Sequence, residues 1–353
     1  MERVFVTPGD AWLTGRRPFV HLLAEAAAAL GGRLELEAAF GHAGWFHTEA
    51  GAVRPIFGNA LGLNPEAAAM LAADKDYTAR LLAAEGIPTP EGRLVFSPAY
   101  RSRMALKNRD VAARLPGARE AITSARALGF PLIVKPNSGS EGRGVHRVAT
   151  QSELGEALDA LFVTDDRVRL EACLPGEDLR VTVLDERVRL AYRRIPPAVI
   201  GDGIRTVATL LAEWCAERSV AHRGAKLSPD DPRIARTLGE QGLGLEDVVE
   251  VGRRIMLLRS ANLSAGGSMV SLDAALSAPL AATACKAVRV LGLRWAGVDF
   301  LVPPEAPDGR GAPVLEVNAA PGLDYFASAG PAEWEAARLL LMDVLTAPAH
   351  GPG

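Results

Sequence analysis

The stretch "PLIVKPNSGSEGRGV", residues 131–145, places a lysine near the end of an apolar, strand-like run and follows it with glycine-rich sequence. Only five of the 39 basic residues are lysines, so arginine supplies most of the surface charge. Glycines let a backbone approach a ligand closely and turn its N–H groups towards an anion. The loop 137–144 has neither the GxxxxGK[ST] nor the GxGxxG spacing, and a strand is expected to follow it. This pattern predicts a hairpin tip that folds over a triphosphate, with Lys135 beside it; a tight hairpin with a solvent-directed lysine is the alternative.

Two further strand candidates, "RWAGVDFLV" (294–302) and "APVLEVNAAPG" (312–322), carry oxygen-bearing side chains among apolar ones. Because side chains alternate along a strand, Glu316 and Asn318 face the same side. Asp299 joins them if the two strands pair as a hairpin. Mg²⁺ prefers oxygen ligands and commonly binds one or two carboxylates together with substrate phosphates. The pattern therefore predicts a magnesium site, and an ion pair with Arg294 or another arginine is the alternative.

The composition is that of an ordinary soluble globular protein. The 353 residues are 48% apolar and 23% charged, enough for two or three packed units. A net charge of −3 and an aromatic content of 5% give no reason to expect a nucleic-acid or membrane partner. Cys173, Cys215 and Cys285 are far apart, and no export signal or bilayer-spanning stretch is evident. We therefore expect reduced thiols and a cytoplasmic location.

The pattern along the chain predicts helices and antiparallel strands in three units. A helix is expected near 19–30, and another within 63–92, begun by Asn64 and Pro65 and ended by Gly86 and Pro88. Residues 93–120 are rich in arginine and predict an irregular connection. From 121 onwards we expect a helix, the strand 131–136, the glycine loop, a strand, a helix and further strands to about 200. Four side chains in the 63–92 helix are predicted to form one buried stripe, with Lys75 off it: Met70, Ala73, Tyr77 and Leu81.

Six segments, in this order, resemble the ATP-grasp superfamily and, more narrowly, the ATP-grasp part of cyanophycin synthetase. They are "LAADKDYTARLLAAEGIPTPEG", "PLIVKPNSGSEGRGV", "LEACLPGEDLRVTVLDERV", "RRIPPAVIGDGIRTVATLL", "LRSANLSAGGSMVSLD" and "AGVDFL…LEVNAAPGLD". The pieces "GDGIRT" and "ANLSAGG" separate this branch from the D-alanine–D-alanine ligases, to which the chain is more distantly similar. The resemblance covers roughly residues 63–330.

The resemblance implies an α+β, three-domain ATP-grasp fold that holds ATP between two antiparallel β-sheets. Its implied domains are 1–120, an N-terminal domain and linker; 121–200, a small central domain with the glycine loop; and 201–353, a C-terminal domain with the Mg²⁺ site. ATP and Mg²⁺, with two ions, are the implied cofactors. Residues 1–60 do not clearly match, which leaves acceptor recognition open.

The resemblance also implies roles for individual residues. The implied ATP-binding residues are Lys75, Lys135, Ser138, Gly139, Gly142, Gly144, Glu171, Cys173, Leu174 and Glu177, where Glu171 with the backbone of Cys173 and Leu174 forms the adenine hinge and Glu177 binds the ribose. The implied Mg²⁺ ligands are Asp299, Glu316 and Asn318, and the acyl-phosphate site is lined by Arg194, Arg259 and Asn262. From the residues alone, Glu171 is equally an exposed edge charge, Arg193 and Arg194 a solvated face, and "NLSAGG" a plain turn. Lys226 is expected at the surface, and structural or surface roles are expected for His42, His47 and His222.

By resemblance, the chain is an ATP-dependent carboxylate–amine ligase that joins amino acids or small peptides and releases ADP and phosphate. The alternatives are a nucleotide-binding regulatory or partner protein without ligase activity, and a phosphotransferase. Cyanophycin synthetase carries a further Mur-type ligase domain, whereas only a helix and a Pro/Gly tail follow the last motif here, so we do not expect cyanophycin polymerisation. A homodimer is also expected.

Overall fold

The computed structural model describes residues 2–139, 142–221, 227–272 and 276–348. His222 and Lys226, together with Ser140 and Glu141 of the glycine loop, lie outside these ranges. The chain divides into two compact units, each built from separate segments. The first unit is Met1–Leu61, Leu190–Ala274 and Gly322–Ala347, and the second is Gly62–Arg189, Ala275–Pro321 and Pro348–Gly353. The three-domain division implied by the resemblance stays a proposal.

The described ranges contain both strands and helices. The strands are β1 (Arg3–Val6), β2 (Arg33–Glu37), β3 (Ala43–His47), β4 (Val53–Phe57), β5 (Gly92–Phe96), β6 (Leu132–Pro136), β7 (His146–Val148), β8 (Arg167–Ala172), β9 (Glu177–Leu184), β10 (Arg187–Ile195), β11 (Ala198–Ile200), β12 (Arg254–Met256), β13 (Ser268–Ser271), β14 (Trp295–Val302) and β15 (Val314–Asn318). The helices are α1 (Pro18–Ala29), α2 (Glu66–Ala73), α3 (Lys75–Ala84), α4 (Pro98–Lys107), α5 (Arg109–Ala113), α6 (Ala118–Leu128), α7 (Gln151–Phe162), α8 (Val207–Ala221), α9 (Pro232–Gly239), α10 (Ala278–Val290), α11 (Asp324–Ala327) and α12 (Pro331–Thr346). None of these helices combines the length and the hydropathy that crossing a bilayer requires.

The first unit contains an antiparallel sheet in the order β1-β2-β3-β4. Helix α1, predicted near 19–30 and confirmed at Pro18–Ala29, packs against α12 and buries an apolar face. His42 stacks edge-on against Phe57, and His47 Nε2 lies 3.2 Å from Glu35 Oε2, so both histidines have local partners. A second cluster of buried side chains joins α8, α9, β11 and β12 through Val199, Val207, Leu211, Ile234 and Ile255.

The second unit contains the elements that position the candidate site. Its first sheet has the antiparallel order β5-β8-β6-β7. Helices α6 and α7 cover that sheet with the buried side chains Ala121, Ala125, Leu154, Leu158 and Leu161. In the same unit β14 pairs with both β9 and β15, again antiparallel. The predicted strand at 131–136, the helices on either side of it and the 294–318 hairpin are all confirmed.

Residues 93–120 are not the irregular connection that their arginine content suggests. They form most of β5, the helices α4 and α5, and the start of α6. Ser97 and Asn108 cap the two short helices by accepting hydrogen bonds from Tyr100 N and Val111 N. Side-chain caps satisfy backbone donors that the first turn leaves unpaired. These local caps, rather than an apolar stripe, mark the helices, since α4 contains no buried residue.

The predicted buried stripe in 63–92 is wrong. Met70 and Tyr77 are 67% and 53% exposed, and the buried positions include Ala72, Thr78 and Leu82. Ala73 and Leu81 are exposed as well, so spacing alone assigns the wrong face to both helices. Asp74 also breaks the segment, because it lies in an extended conformation between α2 and α3.

Asn64 is not the helix cap that the sequence suggests. Pro65 occupies the N-cap position of α2, without a side-chain cap. The Asn64 amide instead donates to Trp295 O at 2.6 Å and Ala319 O at 2.7 Å, and its oxygen accepts from Arg294 N at 2.9 Å. Asn64 thus ties the chain before α2 to both ends of the β14–β15 segment.

Two glycines of the second unit should respond to alanine in opposite directions. Gly155 lies inside α7, and a Cβ there would contact nothing within 4 Å, so Gly155→Ala should stabilise the fold by about 0.5–1 kcal/mol. Gly176 has φ +156°, and a Cβ there would lie 2.6 Å from Leu301 Cγ, so Gly176→Ala should destabilise it. Urea unfolding of the two variants checks both signs, and a stabilised Gly176→Ala protein would contradict the packing described for this turn.

Candidate functional site

Lys135 lies near the end of β6 with its ammonium group buried. Its Nζ donates to Glu171 Oε1 on the neighbouring strand β8 at 2.5 Å. Glu171 Oε2 accepts from Arg169 Nε at 3.2 Å, and Arg169 Nη1 donates to Asp76 Oδ1 at 2.5 Å. All four side chains are buried. They form a row of alternating charges, Lys135–Glu171–Arg169–Asp76, which we call the buried charge row.

The buried charge row compensates itself. Two cations and two carboxylates alternate, so no charge in the row lacks an opposite neighbour. Removing one partner from such a set typically costs about 3–5 kcal/mol because it leaves an uncompensated buried charge. Lys135 is therefore held at a fixed place on a strand, where its ammonium group faces Glu171.

Lys75 is the first residue of α3 and joins that helix to the glycine loop. Its backbone N–H donates to Asn137 O at 3.0 Å, and its Nζ donates to Gly139 O at 2.7 Å. Asn137 is fully buried, and its Oδ1 accepts from Asp76 N at 3.0 Å. Three hydrogen bonds therefore hold the stem of the loop against the first turn of α3.

Asp74 fixes the start of that helix. Its Oδ1 accepts from Tyr77 N at 3.0 Å, and its Oδ2 accepts from Arg167 Nη1 at 2.6 Å. Burial raises the pKa of the Asp74 carboxyl, but the Tyr77 N–H, the Asn137 side chain and Arg167 outweigh burial and hold the pKa below its ordinary value. The carboxylate form that caps α3 is thus favoured at neutral pH.

The glycine loop adopts backbone angles that other residues avoid. Gly139, Gly142 and Gly144 have φ values of +118°, +67° and +67°. A Cβ at Gly144 would lie 3.0 Å from both Leu161 and Pro136, whereas one at Gly139 would contact nothing. Ser138 and Gly139 are exposed. The loop is therefore packed at its return to β7 and open at its beginning.

The strands β14 and β15 bring the predicted oxygens onto one face. Asp299 lies directly opposite Glu316, and Gly297 lies opposite Asn318. Asn318 Nδ2 donates to Glu316 Oε1 at 3.1 Å, and Lys75 Nζ lies 3.7 Å from Glu316 Oε2. The hairpin that the sequence predicts for Asp299 is confirmed, and Lys75 contacts both this hairpin and the glycine loop.

Asp299 has an arginine partner, and it is Arg180 rather than Arg294. Arg180 lies opposite Asp299 on β9 and donates through Nε and Nη2 to the two carboxylate oxygens, the second at 2.6 Å. A Cβ at Gly297 would lie 3.0 Å from Arg180 Cδ, so the glycine leaves room for this arginine. Arg294 instead pairs with Asp185. A bidentate arginine–carboxylate pair is among the stronger charge-assisted contacts.

The oxygen donors on this face fit a hard divalent cation. Glu316 and Asn318 contact each other, and Asp299 is across the hairpin. Oxygen-only donor sets of this kind suit Mg²⁺. In this structure Arg180 contacts both oxygens of Asp299, which is the arginine pair given as the alternative, and Lys75 lies near Glu316, so a cation would have to displace these contacts. In the described part of the chain no group of three or more His, Cys, Asp or Glu side chains could hold a metal ion, so a site on this face would include the amide oxygen of Asn318.

The turn between β8 and β9 contains the predicted adenine hinge. Cys173 is half-buried with a free thiol, Leu174 is 39% exposed, and Glu177 begins β9 opposite Val302. Gly176 packs so closely against Leu301 that a side chain does not fit there. The structure thus places Glu171 at the end of one strand and Glu177 at the start of the next, with the backbone of Cys173 and Leu174 between them.

The three predicted acyl-phosphate residues belong to the first unit. Arg194 lies on β10 opposite Met269 of β13. Arg259 forms an ion pair with Glu240 through its Nε. The carbonyl of Asn262 accepts from Ala265 N and Gly267 N at 3.0 and 3.1 Å, so "NLSAGG" is a tight turn. A Cβ at Gly267 would lie 2.6 Å from Ala261 O, so the turn has no room for a side chain at this position.

Sequence reasoning missed several side chains of the site, and two of them, Arg169 and Arg180, carry a signal in the sequence. Arg169 alternates with Arg167 and Glu171 in "RVRLEA", so strand periodicity places its side chain on the same face as Glu171. Arg180 follows the same period within "EDLRVTVL", but its partner depends on the register with β14. Asn137 gives no signal, because its role depends on contacts with α3.

Comparison with known proteins supports the fold and the family. Residues 105–198 match the family described as D-ala D-ala ligase C-terminus. Cyanophycin synthetase of Nostoc sp. is 31% identical over 262 residues, which cover 72% of this chain and 27% of that protein. The glutathione biosynthesis bifunctional protein GshAB of Listeria welshimeri is 29% identical over 198 residues, covering 54% of this chain and 26% of that protein.

The structural comparison agrees with these matches. The crystal structure of a bifunctional glutathione synthetase from Pasteurella multocida superposes with a TM-score of 0.51 at 19% identity, covering 86% of this chain and 40% of that one. The chain spans about a quarter of the length of the curated relatives it matches. Its ordered motifs, its mixed antiparallel sheets and these similarities agree on one assignment. The chain belongs to the ATP-grasp superfamily.

Proposed function

We propose that the protein is an ATP-dependent carboxylate–amine ligase that forms an amide bond and releases ADP and phosphate. One observation carries this proposal. Lys75 Nζ bonds to Gly139 O of the glycine loop and lies 3.7 Å from Glu316 Oε2 of the acidic hairpin. A loop suited to phosphate and a carboxylate–amide set suited to Mg²⁺ therefore meet at one lysine, as a nucleoside triphosphate site requires.

The proposed reaction has two steps. A substrate carboxylate oxygen attacks the γ-phosphorus of ATP, the bond to the β,γ-bridging oxygen breaks, and ADP leaves. An amine then attacks the acyl carbon, and phosphate leaves with the former carboxylate oxygen while the amine loses its proton to water or phosphate. Mg²⁺ held by Asp299, Glu316 and Asn318 would neutralise charge on the β- and γ-phosphates.

The residues of the chain supply positioning and exclusion of water. Lys135 and Lys75 present fixed positive charge to the phosphates, which lowers the cost of gathering negative charge in one place. The loop 137–144 closes over the phosphates and keeps water from hydrolysing the acyl phosphate. In this proposal Glu171 and the backbone of Cys173 and Leu174 bind adenine.

The remaining roles belong to the same proposal. Ser138, Gly139, Gly142 and Gly144 contact the phosphates, and Glu177 binds the ribose. Arg194, Arg259 and Asn262 bind the acyl phosphate, with arginine charge near the carbonyl oxygen. The proposed substrates are amino acids or short peptides, the class joined by glutathione synthetases and D-alanine–D-alanine ligases, and two Mg²⁺ ions are the proposed metal complement.

The metal assignment predicts a large loss of activity from one substitution. Glu316→Ala removes the carboxylate that Asn318 and Lys75 face, so Mg²⁺-dependent ADP release with pooled amino acids should fall by about 100-fold or more. Glu305→Ala, an exposed acid in the loop before the same strand, is the matched control and should retain activity. Near-normal turnover in Glu316→Ala with an unchanged melting profile would refute the metal assignment.

The contacts of Asn137 predict that its substitution weakens nucleotide binding, whereas a comparably destabilising substitution elsewhere in the unit does not. Asn137→Ala removes the Oδ1 bond to Asp76 N that helps hold the loop stem against α3, so KM for MgATP should rise by about tenfold. Trypsin should also cleave faster after Arg143 in the loop. Ser97→Ala, which loses a buried helix cap on a different element, should be destabilised comparably but keep the wild-type KM. Equal KM values for all three proteins would show that the loop stem does not position nucleotide.

A further inference from the structure

The α4–α5 helical hairpin has no part in the proposed reaction, yet it carries an unusual charge. Residues 97–120 contain six basic and two acidic residues, a net charge of +4 in a chain whose net charge is −3. Of the six, Arg103 pairs with Asp166. The other five form no ion pair with any residue that the structure describes: Arg101, Lys107, Arg109, Arg114 and Arg119. Most arginines elsewhere in the described chain have carboxylate partners, whereas here Glu120 attracts Arg101 and Arg119 without forming an ion pair, so the segment keeps an excess of positive charge.

The two helices face each other across a groove of about 430 Å³. One face of α4, with residues spaced by three and four, lines it, and a face of α5 with the same spacing lies opposite: Pro98, Arg101, Ser102 and Ala105, then Arg109, Ala112 and Ala113. Helical hairpins usually close such a space with large apolar side chains. Here the large apolar residues Leu106 and Val111 are 91% and 41% exposed, and alanines leave the groove open.

The polar groups in the groove are donors. Arg101 Nε is buried and has no hydrogen-bond partner among the described residues. The Arg101 guanidinium lies against Gly117, where a Cβ would come 2.4 Å from Arg101 Nη1. The nearby Glu120 carboxylate accepts from the Gly117 N–H at 2.8 Å and attracts Arg101 and Arg119, without a hydrogen bond to Arg101 Nε. A buried donor on a cation without an acceptor is costly, and an anionic ligand would supply the acceptor.

We propose that this groove binds a small polyanion bearing phosphate or carboxylate groups, held by Arg101, Arg109 and the Ser102 hydroxyl. Guanidinium groups match both chemistries because they donate paired hydrogen bonds to two oxygens. The volume falls in the range of small-molecule sites, about 300–1,000 Å³. The alanine floor accommodates the carbon part of such a ligand. This inference does not depend on the proposed ligase activity.

The test measures anion binding by calorimetry at low ionic strength and without Mg²⁺, using pyrophosphate in one arm and citrate in the other. Wild type should bind at least one of them with one-to-one stoichiometry. Arg101→Gln/Arg109→Gln should weaken that binding by at least about tenfold. Lys107→Gln/Arg114→Gln removes the same charge outside the groove and should change it by less than about threefold. Binding of pyrophosphate alone assigns a phosphorylated ligand, and binding of citrate alone assigns a polycarboxylate.

A single-residue variant and a chemical-modification experiment complete the test of anion binding. Arg109→Gln alone, at an exposed position, replaces the double variant if that protein does not fold. Phenylglyoxal modification followed by peptide mapping should show that the anion slows reaction at Arg101 and Arg109 but not at Arg126. Equal weakening in both double variants, or no one-to-one binding in either arm, would overturn the proposal.

Discussion

A lysine ammonium buried at the end of a strand is the constraint on which the site depends. Lys135 is buried beside Glu171, and Arg169 and Asp76 continue an alternating row of charges behind it. Such rows contribute little net stability compared with apolar packing, because each charge also loses its hydration. Such a row acts mainly by positioning its side chains, because each charged group holds its neighbour in place. A side chain that moves away leaves a buried charge unpaired. The row therefore holds the Lys135 ammonium group in one position, whereas a flexible surface lysine samples many.

The same row connects the sheet to the helix that carries the second lysine. Asp76 ends the row and lies in the first turn of α3, next to Lys75. Asn137 joins that turn to the loop stem, and Lys75 reaches both Gly139 and Glu316. A rigid stem with an open, glycine-rich beginning suits a loop that must close over a ligand and open again. The site thus combines a loop stem that hydrogen bonds hold near the two lysines with a loop that is exposed at Ser138.

The sequence predicts a site residue well when alternation along one strand sets the direction of its side chain. It predicts a site residue poorly when contacts between elements distant in sequence set its position. Alternation along "VLEVN" places Glu316 and Asn318 on one face, and the hairpin with Asp299 follows from a short connecting loop. Arg180 is different, because only the register of β9 against β14 sets it opposite Asp299. The stripe predicted for 63–92 fails on both helices, because spacing by three and four also fits the face that carries Ala72 and Leu82, and packing against the rest of the unit decides which face is buried. The α4–α5 hairpin is missed because polar caps, not apolar periodicity, define it.

Following one oxygen atom through the reaction tests carboxylate activation at this site most directly. Amino acids labelled with ¹⁸O in their carboxylates would be pooled with ATP, Mg²⁺ and the protein, and the released phosphate analysed by mass spectrometry. Transfer of the γ-phosphoryl group to a carboxylate predicts phosphate that contains one ¹⁸O atom for each turnover, together with a new amide. Release of ADP with phosphate whose added oxygen comes from solvent water would contradict carboxylate activation at this site.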